Sequence, residues 1–198
     1  MTQHFSYTLT PEKILRFFRG EKKKDTEEKD DSDDDDEFDV NSNIDDDMER
    51  AKKEIIDRLI NDGVFDMNKT QTLPTVVQNI AVISSSTAAG YGDFVNHLET
   101  NMYGYHINIT LFEASMQGEQ TETSVLDALN RIGDKYENYD AVAIIRGGGS
   151  KNDLSWFDNY NIAYMVTQFP LPVISGIGHE RDESIVDMVA HTRMKTPT

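Results

Sequence analysis

The sequence contains no cysteine, and this absence excludes several kinds of site at once. A disulfide framework, a cysteine-ligated zinc or iron–sulfur centre and a cysteine nucleophile all need a thiol. Long apolar runs are also lacking, since no stretch approaches about 18 consecutive apolar residues and residues 1–20 hold no continuous apolar segment. We therefore expect neither a membrane span nor a signal peptide, and a reducing, cytoplasmic location.

Positive charge is scarce, because 19 lysines and arginines stand against 36 acids, for a net charge of −17. Between Glu21 and Glu49, 16 acids and 4 lysines account for −12 of that charge. Such a segment cannot bury enough apolar surface to offset the entropy of ordering it. The sequence therefore predicts a short segment over residues 1–19 with a helix at Pro11–Arg19, a disordered acidic insertion over residues 20–43, and one main domain over residues 44–198.

The rest of the chain alternates short apolar runs with stretches of helical periodicity. This alternation predicts an α/β fold, a doubly wound and mostly parallel sheet with helices on both faces. The predicted strands are Ile80–Ser84, Ile107–Phe112, Ala141–Ile145 and Pro172–Ser175. The predicted helices are Asp45–Asn61, Gly90–Asn101, Glu122–Tyr136, one or two over Leu154–Gln168, and Glu183–Ala190. His191 is expected in a frayed tail after the last helix.

Three of the predicted strands end in glycine-rich, polar segments, which read SSSTAAGYGD, RGGGSKND and GIGHERDES. The carboxyl ends of parallel strands meet at one edge of a sheet, and ligands bind there in such folds. In the second segment, glycine N–H groups could cradle a phosphate while Arg146 adds a fixed charge. A glycine-rich turn satisfied by water is the alternative, and no Walker or dinucleotide pattern is present. The predicted phosphate-binding residues are Ser85, Thr87, Gly147, Gly148, Gly149 and Ser150.

The third segment carries a histidine between acids, which is the arrangement of a general base held by a carboxylate. His179 could be that base, and Asp182 the orienting acid; a surface histidine in a charged loop is the alternative. With Asp93 or Asp153, the same two residues could hold a hydrated Mg²⁺. Asp93 taken alone is more simply a solvated acid on a helix. Trp156, Phe157 and Tyr160 are expected in the core or at its rim, with base stacking as the alternative.

Taken together, these segments resemble the catalytic domain of the exodeoxyribonuclease VII large subunit over about Asp45–Thr198. The resemblance rests on IAVISSSTAAGYGDF, IIRGGGSKNDLSWFD, FPLPVISGIGHERDES and AHTRMKTPT in that order. It implies hydrolysis of single-stranded DNA from either end, without strict dependence on a divalent metal, in a complex with several small subunits. It implies catalytic roles for Asp93, Arg146, His179 and Asp182, which we expect to converge on one crevice.

The family's large subunit also has an OB-fold domain that grips single strands and a helical region that recruits small subunits. Neither is found in this sequence, so we expect a fragment that holds the nuclease site without the usual grip on DNA. Two other functions stay open from the sequence. One is a phosphate- or nucleotide-binding α/β module without hydrolytic activity, and the other is a non-catalytic interaction fragment.

The acidic insertion generates the first prediction. Deleting residues 20–43 should leave the free energy of unfolding almost unchanged, because Phe38 and Val40 are the main apolar side chains that this segment could bury. Thermal melts of the deleted and complete chains measure this. A large loss of stability on deletion would show that the insertion packs against the domain.

Overall fold

The computed structural model of the chain describes residues 41–101, 104–147, 151–178 and 182–194. In this part of the chain, five strands form one sheet in the order β2-β1-β3-β4-β5, and all neighbouring strands are parallel. The strands are β1 Asn79–Ser84, β2 Asn108–Glu113, β3 Ala141–Ile145, β4 Val173–Gly176 and β5 Thr192–Arg193. The predicted α/β class is confirmed. The sheet is parallel throughout its described strands, where a mostly parallel one was expected.

The helices are α1 Asn41–Asn61, α2 Ala89–Glu99, α3 Thr121–Gly133, α4 Tyr160–Thr167 and α5 Ile185–Val189. Short 3-10 segments lie at Asn68–Thr70, Tyr136–Asn138 and Lys151–Phe157. One or two helices were predicted over Leu154–Gln168, and the structure has the end of a 3-10 segment and the helix α4 there. Helix α4 begins where the Asn159 side chain accepts a hydrogen bond from the Ile162 N–H at 3.1 Å. In the described residues, no helix is both long and apolar enough to cross a bilayer.

The first helix corrects the predicted end of the acidic insertion. Residues 41–43 belong to α1, which begins one turn before the predicted start at Asp45. The predicted N-terminal segment, its helix at Pro11–Arg19 and the rest of the insertion lie outside the described residues. The deletion that leaves α1 whole therefore ends at residue 40.

Both faces of the sheet are covered by helices, as predicted. In β1, Ala81 and Ile83 face a core shared with α1, α3, α4 and α5, whereas Ile80 and Val82 face a second core with α2. A parallel strand buried on both faces reads as a continuous apolar run, and β1 and β3 have that character. The sheet separates the two cores, so the carboxyl ends of β1 and β3 lie between the two layers of helices.

A buried asparagine joins three distant parts of the chain. The Asn68 amide donates to the carbonyl oxygens of Phe169 at 3.3 Å and Leu171 at 3.0 Å. Its Oδ1 accepts from the backbone N–H groups of Val173 at 2.9 Å and His191 at 3.1 Å. All donors and acceptors of this side chain are therefore used where β4 begins and where the chain leaves α5.

Residues 190–194, which follow α5, are held by hydrogen bonds, so the prediction that His191 lies in a frayed segment is wrong. Thr192 and Arg193 pair with β4 as the edge strand β5. The His191 ring joins the Gln71 carbonyl through Nε2 at 3.1 Å and the Thr192 hydroxyl through Nδ1 at 2.7 Å. One neutral tautomer satisfies both contacts, with Nε2–H donating to the carbonyl and Nδ1 accepting from the hydroxyl. These contacts and those of Asn68 hold the segment together with the packing of Ala190 and Met194 in the two cores.

The histidine makes stability depend on pH. Burial lowers the pKa of His191, and the hydrogen bond to Gln71 opposes that effect. Because the unfolded chain then binds the proton first, the free energy of unfolding should fall as pH drops from about 7.5 to 5.5. His191→Gln should flatten this part of the profile, measured by urea unfolding across the pH range. His97→Gln provides a matched exchange at an exposed position, and an unchanged slope in His191→Gln would contradict the assignment.

Candidate functional site

The order of the strands marks one position on the sheet as a crevice. β1 and β3 are neighbours, yet β1 leads into α2 on one face and β3 leads toward α4 on the other. Where connections leave to opposite faces in this way, the carboxyl ends of the two strands open a space that ligands occupy in open α/β sheets. The segments predicted to be functional after β1 and β3 border this position.

The backbones after β1 and β3 touch at this edge. A Cβ on Gly90 would lie 2.5 Å from the carbonyl oxygen of Arg146, and one on Gly147 would lie 3.2 Å from the Cβ of Ala88. Just below, the Ser84 hydroxyl donates to the Ile145 carbonyl at 2.7 Å. The first turn of α2 is therefore held directly against the end of β3, and glycine is required at the contact.

The hydroxyls after β1 already form hydrogen bonds, within their own loop and to the end of β2. Ser85 Oγ and Thr87 Oγ1 are 3.0 Å apart, and the Thr87 N–H points to Ser85 Oγ at 3.4 Å. The Ser86 hydroxyl donates to Glu113 at the end of β2 at 2.6 Å, and this bond lowers the pKa of Glu113. A phosphate at Ser85 and Thr87 would have to replace these contacts beside a carboxylate, so their predicted phosphate-binding role stays a prediction.

Arg146 continues β3 by one residue and turns its side chain inward. Its N–H donates to the Gly176 carbonyl at 3.0 Å, which aligns the ends of β3 and β4. The side chain is only 3% exposed, and its Nη2 lies 3.4 Å from Asp153 Oδ2. Burial lowers the pKa of the guanidinium, and the charges of Asp153 and Asp187 oppose that effect. The site thus contains a buried cation that is paired with the Asp153 carboxylate.

Asp187 is the site residue that the sequence analysis did not select. It is 3% exposed and forms a capping box with Ser184, whose N–H and hydroxyl donate to Asp187 Oδ2 at 3.0 and 2.8 Å. Within the described residues, Asp187 Oδ1 is buried with no hydrogen-bond partner. The S-x-x-D spacing signals the cap. The electrostatic effect of Asp187 on Arg146 arises from the tertiary fold, and the S-x-x-D spacing does not predict it.

Asp182 lies at the same edge, close to the end of β4. A Cβ on Gly178 would lie 2.3 Å from the Asp182 carbonyl oxygen and 2.8 Å from Asp187 Oδ2, so only glycine fits there. Arg193 on β5 donates to the Asp182 carbonyl at 3.2 Å and lies 3.5 Å from the Glu183 carboxylate. The edge strand therefore fastens the segment that carries Asp182.

Contacts of Lys52 and Asp158 also hold the residues that follow Asp182. Lys52 on α1 donates to the Glu183 carbonyl and lies 3.4 Å from Asp158 Oδ1. Asp158 in turn accepts from the Ile185 N–H at 2.7 Å, at the start of α5. Burial raises the pKa of Asp158, and the hydrogen bond from Ile185 and the charge of Lys52 oppose that effect.

The predicted catalytic residues have different positions in the structure. Arg146 and Asp182 follow the neighbouring strands β3 and β4 at the carboxyl edge of the sheet. Asp93 lies on α2, one turn beyond Gly90, and its carboxylate is exposed and forms no hydrogen bond or ion pair in the described part of the chain. His179, Gly148, Gly149 and Ser150 lie outside the described residues, so the convergence of the four catalytic residues stays a prediction.

A cation site was a further possibility for these carboxylates. Among the described residues, no three histidine or acidic side chains are grouped so that they could hold a metal ion. The predicted magnesium ligands include His179, which lies outside that part of the chain. Of the acids at this edge, Asp153 is paired with Arg146.

Comparisons with known proteins agree on one family. The family model described as "Exonuclease VII, large subunit" matches residues 64–198. Curated relatives named "Exodeoxyribonuclease 7 large subunit" include those of a Nostoc species, 37% identical over 74% of this chain and 35% of the relative, and of Vesicomyosocius okutanii, 38% identical over 75% of this chain and 31% of the relative. That of Deinococcus radiodurans is 33% identical over 71% of this chain and 34% of the relative. The chain spans about a third of the length of these relatives.

The backbone contact at the site generates a prediction about glycine. Gly90→Ala should lower the free energy of unfolding by about 1–3 kcal/mol, because its Cβ would meet the Arg146 carbonyl. Gly92→Ala, two residues along the same helix, has nothing within 4 Å and should be neutral or more stable by up to about 1 kcal/mol. Urea unfolding of both variants tests this. Equal stability of the two variants would mean that α2 and the Arg146 backbone do not touch.

Proposed function

The chain belongs to the exonuclease VII large subunit family, and we propose that it carries the site at which such a subunit hydrolyses phosphodiester bonds of single-stranded DNA. One observation carries the proposal. Arg146 of the RGGGS segment and Asp182 of the GHERD segment follow neighbouring parallel strands, and the hydrogen bond from Arg146 N–H to Gly176 keeps the ends of those strands aligned. A cation and an acid thereby belong to one edge of one sheet.

The proposed chemistry distributes three tasks over these segments. His179 takes a proton from water, whose oxygen attacks phosphorus while the bond to the leaving oxygen breaks and that oxygen is protonated. Arg146 and the glycine N–H groups oppose the negative charge on the phosphoryl oxygens. Asp182 orients the histidine, and Asp93 serves as a second orienting acid, as the acid for the leaving group or as a metal ligand.

The charge of the chain opposes binding of DNA. A chain with a net charge of −17 repels a phosphate backbone, so binding must come from a few local cations and should fall steeply with salt. We infer that stable engagement of a strand depends on additional DNA-binding contacts and on a small subunit. The relatives are named as large subunits, and this supports a small-subunit partner.

The activity test uses end-labelled single-stranded DNA with and without an added exonuclease VII small subunit. His179→Ala and Asp182→Asn should lower cleavage by about 10²–10⁴-fold and leave DNA affinity within a few-fold, because base and orienter act on the transition state. Arg146→Ala should weaken both binding and cleavage, since the guanidinium can act on the phosphate before and during the reaction.

Melting curves of every variant accompany the assay, because the buried Arg146 also pairs with Asp153. Near-normal cleavage by a folded His179→Ala variant would remove the general-base assignment. Binding of DNA or phosphate by the wild-type chain without cleavage, even with the small subunit, would favour the phosphate-binding module. One observation favours this second function: Arg146 is buried and already forms an ion pair.

A further inference from the structure

The 3-10 segment Lys151–Phe157, which follows the glycine-rich stretch after β3, has a buried face and an accessible face. Side chains at i and i+3 of a 3-10 helix eclipse one another, so residues three apart share a face. Leu154 and Phe157 form the buried face and belong to the core that also contains α4. Asp153, which is partly exposed, and Trp156, which is 37% exposed, form the accessible face.

The accessible face lies beside the buried arginine of the candidate site. Asp153 Oδ2 is 3.4 Å from Arg146 Nη2. Trp156 follows Asp153 by one 3-10 turn, which is a rise of about 6 Å along the segment. A single nucleotide spans a separation of this order between its phosphate and its base. A strand with a phosphate at the end of β3 could therefore bring a base to Trp156.

The backbone around Trp156 is fixed, so its ring has a defined position. The Phe157 side chain next to it is fully buried. The Asp158 N–H donates to the Ser155 carbonyl at 3.0 Å, and Asp158 Oδ1 accepts from the Ile185 N–H at 2.7 Å. An aromatic ring on a backbone of this kind loses little conformational freedom when a ligand covers it.

Three aromatic residues of this region were possible base-stacking residues, and the structure distinguishes them. Phe157 lies in the core. Tyr160 is already covered, because Tyr164 stacks on its ring with centroids 5.5 Å apart and Arg58 lies 3.7 Å from the ring centroid. In the part of the chain that the structure describes, neither a ring nor a cation stacks on Trp156, and its indole N–H has no acceptor.

We propose that Trp156 is a base-stacking residue of the candidate site, where it stacks on a nucleobase of the single strand whose phosphate lies at the end of β3. The proposal rests on the proposed function, which brings a single strand to this edge. Stacking on an aromatic ring tolerates any sequence, because every base has a π-face. Unlike a phosphate contact, it supplies affinity that the net charge of −17 does not oppose directly.

An exposed tryptophan is also typical of protein interfaces, so a protein partner is the alternative occupant. The centre of such an interface is depleted of charged residues. Trp156 instead shares its face with Asp153, one turn from the ion pair with Arg146. This polar surrounding favours a nucleotide, whose base is apolar on its faces and whose phosphate is charged.

The first test uses the fluorescence of the complete chain, in which Trp156 is the sole tryptophan. Titration with a short oligothymidylate should quench this fluorescence, because a base would stack on the indole. An abasic oligonucleotide of the same length should bind without this quenching. Both ligands carry phosphorothioate linkages so that cleavage does not alter them, and the anisotropy of a dye on each ligand measures binding independently.

The second test compares variants of the complete chain. Trp156→Ala should weaken binding of the oligothymidylate by about fivefold or more, the loss expected for one stacked base, and should leave the abasic ligand within about twofold. Trp156→Phe keeps a ring and should stay within about threefold of the wild-type affinity. Tyr136→Ala should change neither affinity, because it removes an aromatic side chain that is 43% exposed in the 3-10 segment before β3, at the opposite edge of the sheet.

Salt dependence separates stacking from a change of charge. The ratio of the dissociation constants of Trp156→Ala and the wild-type chain should stay constant as salt rises, because the lost contact is not ionic. Melting curves check that each variant folds. If Trp156→Ala does not fold, Trp156→Phe and the quenching of the wild-type chain still test the proposal.

Several results would overturn the proposal. These are equal quenching by the abasic ligand, unchanged affinity in a folded Trp156→Ala variant, and no binding of the oligothymidylate by the wild-type chain with or without a small subunit. Quenching by the small subunit and not by DNA would assign Trp156 to a protein interface instead. Cleavage of labelled DNA is measured separately. Base-dependent quenching without cleavage refutes the proposed hydrolysis alone, and cleavage without base-dependent quenching refutes this inference alone.

Discussion

The candidate site depends on two backbones that meet without side chains between them. Gly90 at the start of α2 lies against the Arg146 carbonyl, and Gly147 lies against Ala88. A Cβ at either position would push the first turn of α2 away from the end of β3 and open the crevice where β1 and β3 diverge. Protein interiors transmit such a shift because they are close-packed. The position of Arg146, and of every group that acts with it, follows from this contact.

Most of the sheet could be predicted from sequence because its strands are buried on both faces. Continuous apolar runs such as those of β1 and β3 indicate buried parallel strands. Their alternation with helices then predicts an α/β fold. β5 was missed because two polar residues have no such signal. Its place is determined by Asn68, more than a hundred residues earlier, through hydrogen bonds to β4 and His191. Long-range polar contacts of this kind leave no periodicity in the sequence.

The site was partly predictable for a related reason. Arg146 and Asp182 follow strands, and the carboxyl ends of parallel strands share an edge, so topology alone brings their segments together. Topology does not say which way a side chain turns. The burial of Arg146 and the enclosure of Asp187 depend on the tertiary packing, in which α5 lies against β4 and β5. The mutual engagement of Ser85 and Thr87 is likewise a property of the folded loop.

The acidity of the chain and its buried arginine belong to one electrostatic problem. An exposed arginine on a chain with a net charge of −17 would be screened by salt. Burial removes much of that screening, and it also requires a counter-charge, which the Asp153 carboxylate supplies at 3.4 Å. Any anion that approached this guanidinium would compete with that carboxylate, so the acids of the chain oppose the binding of a phosphate at this edge of the sheet.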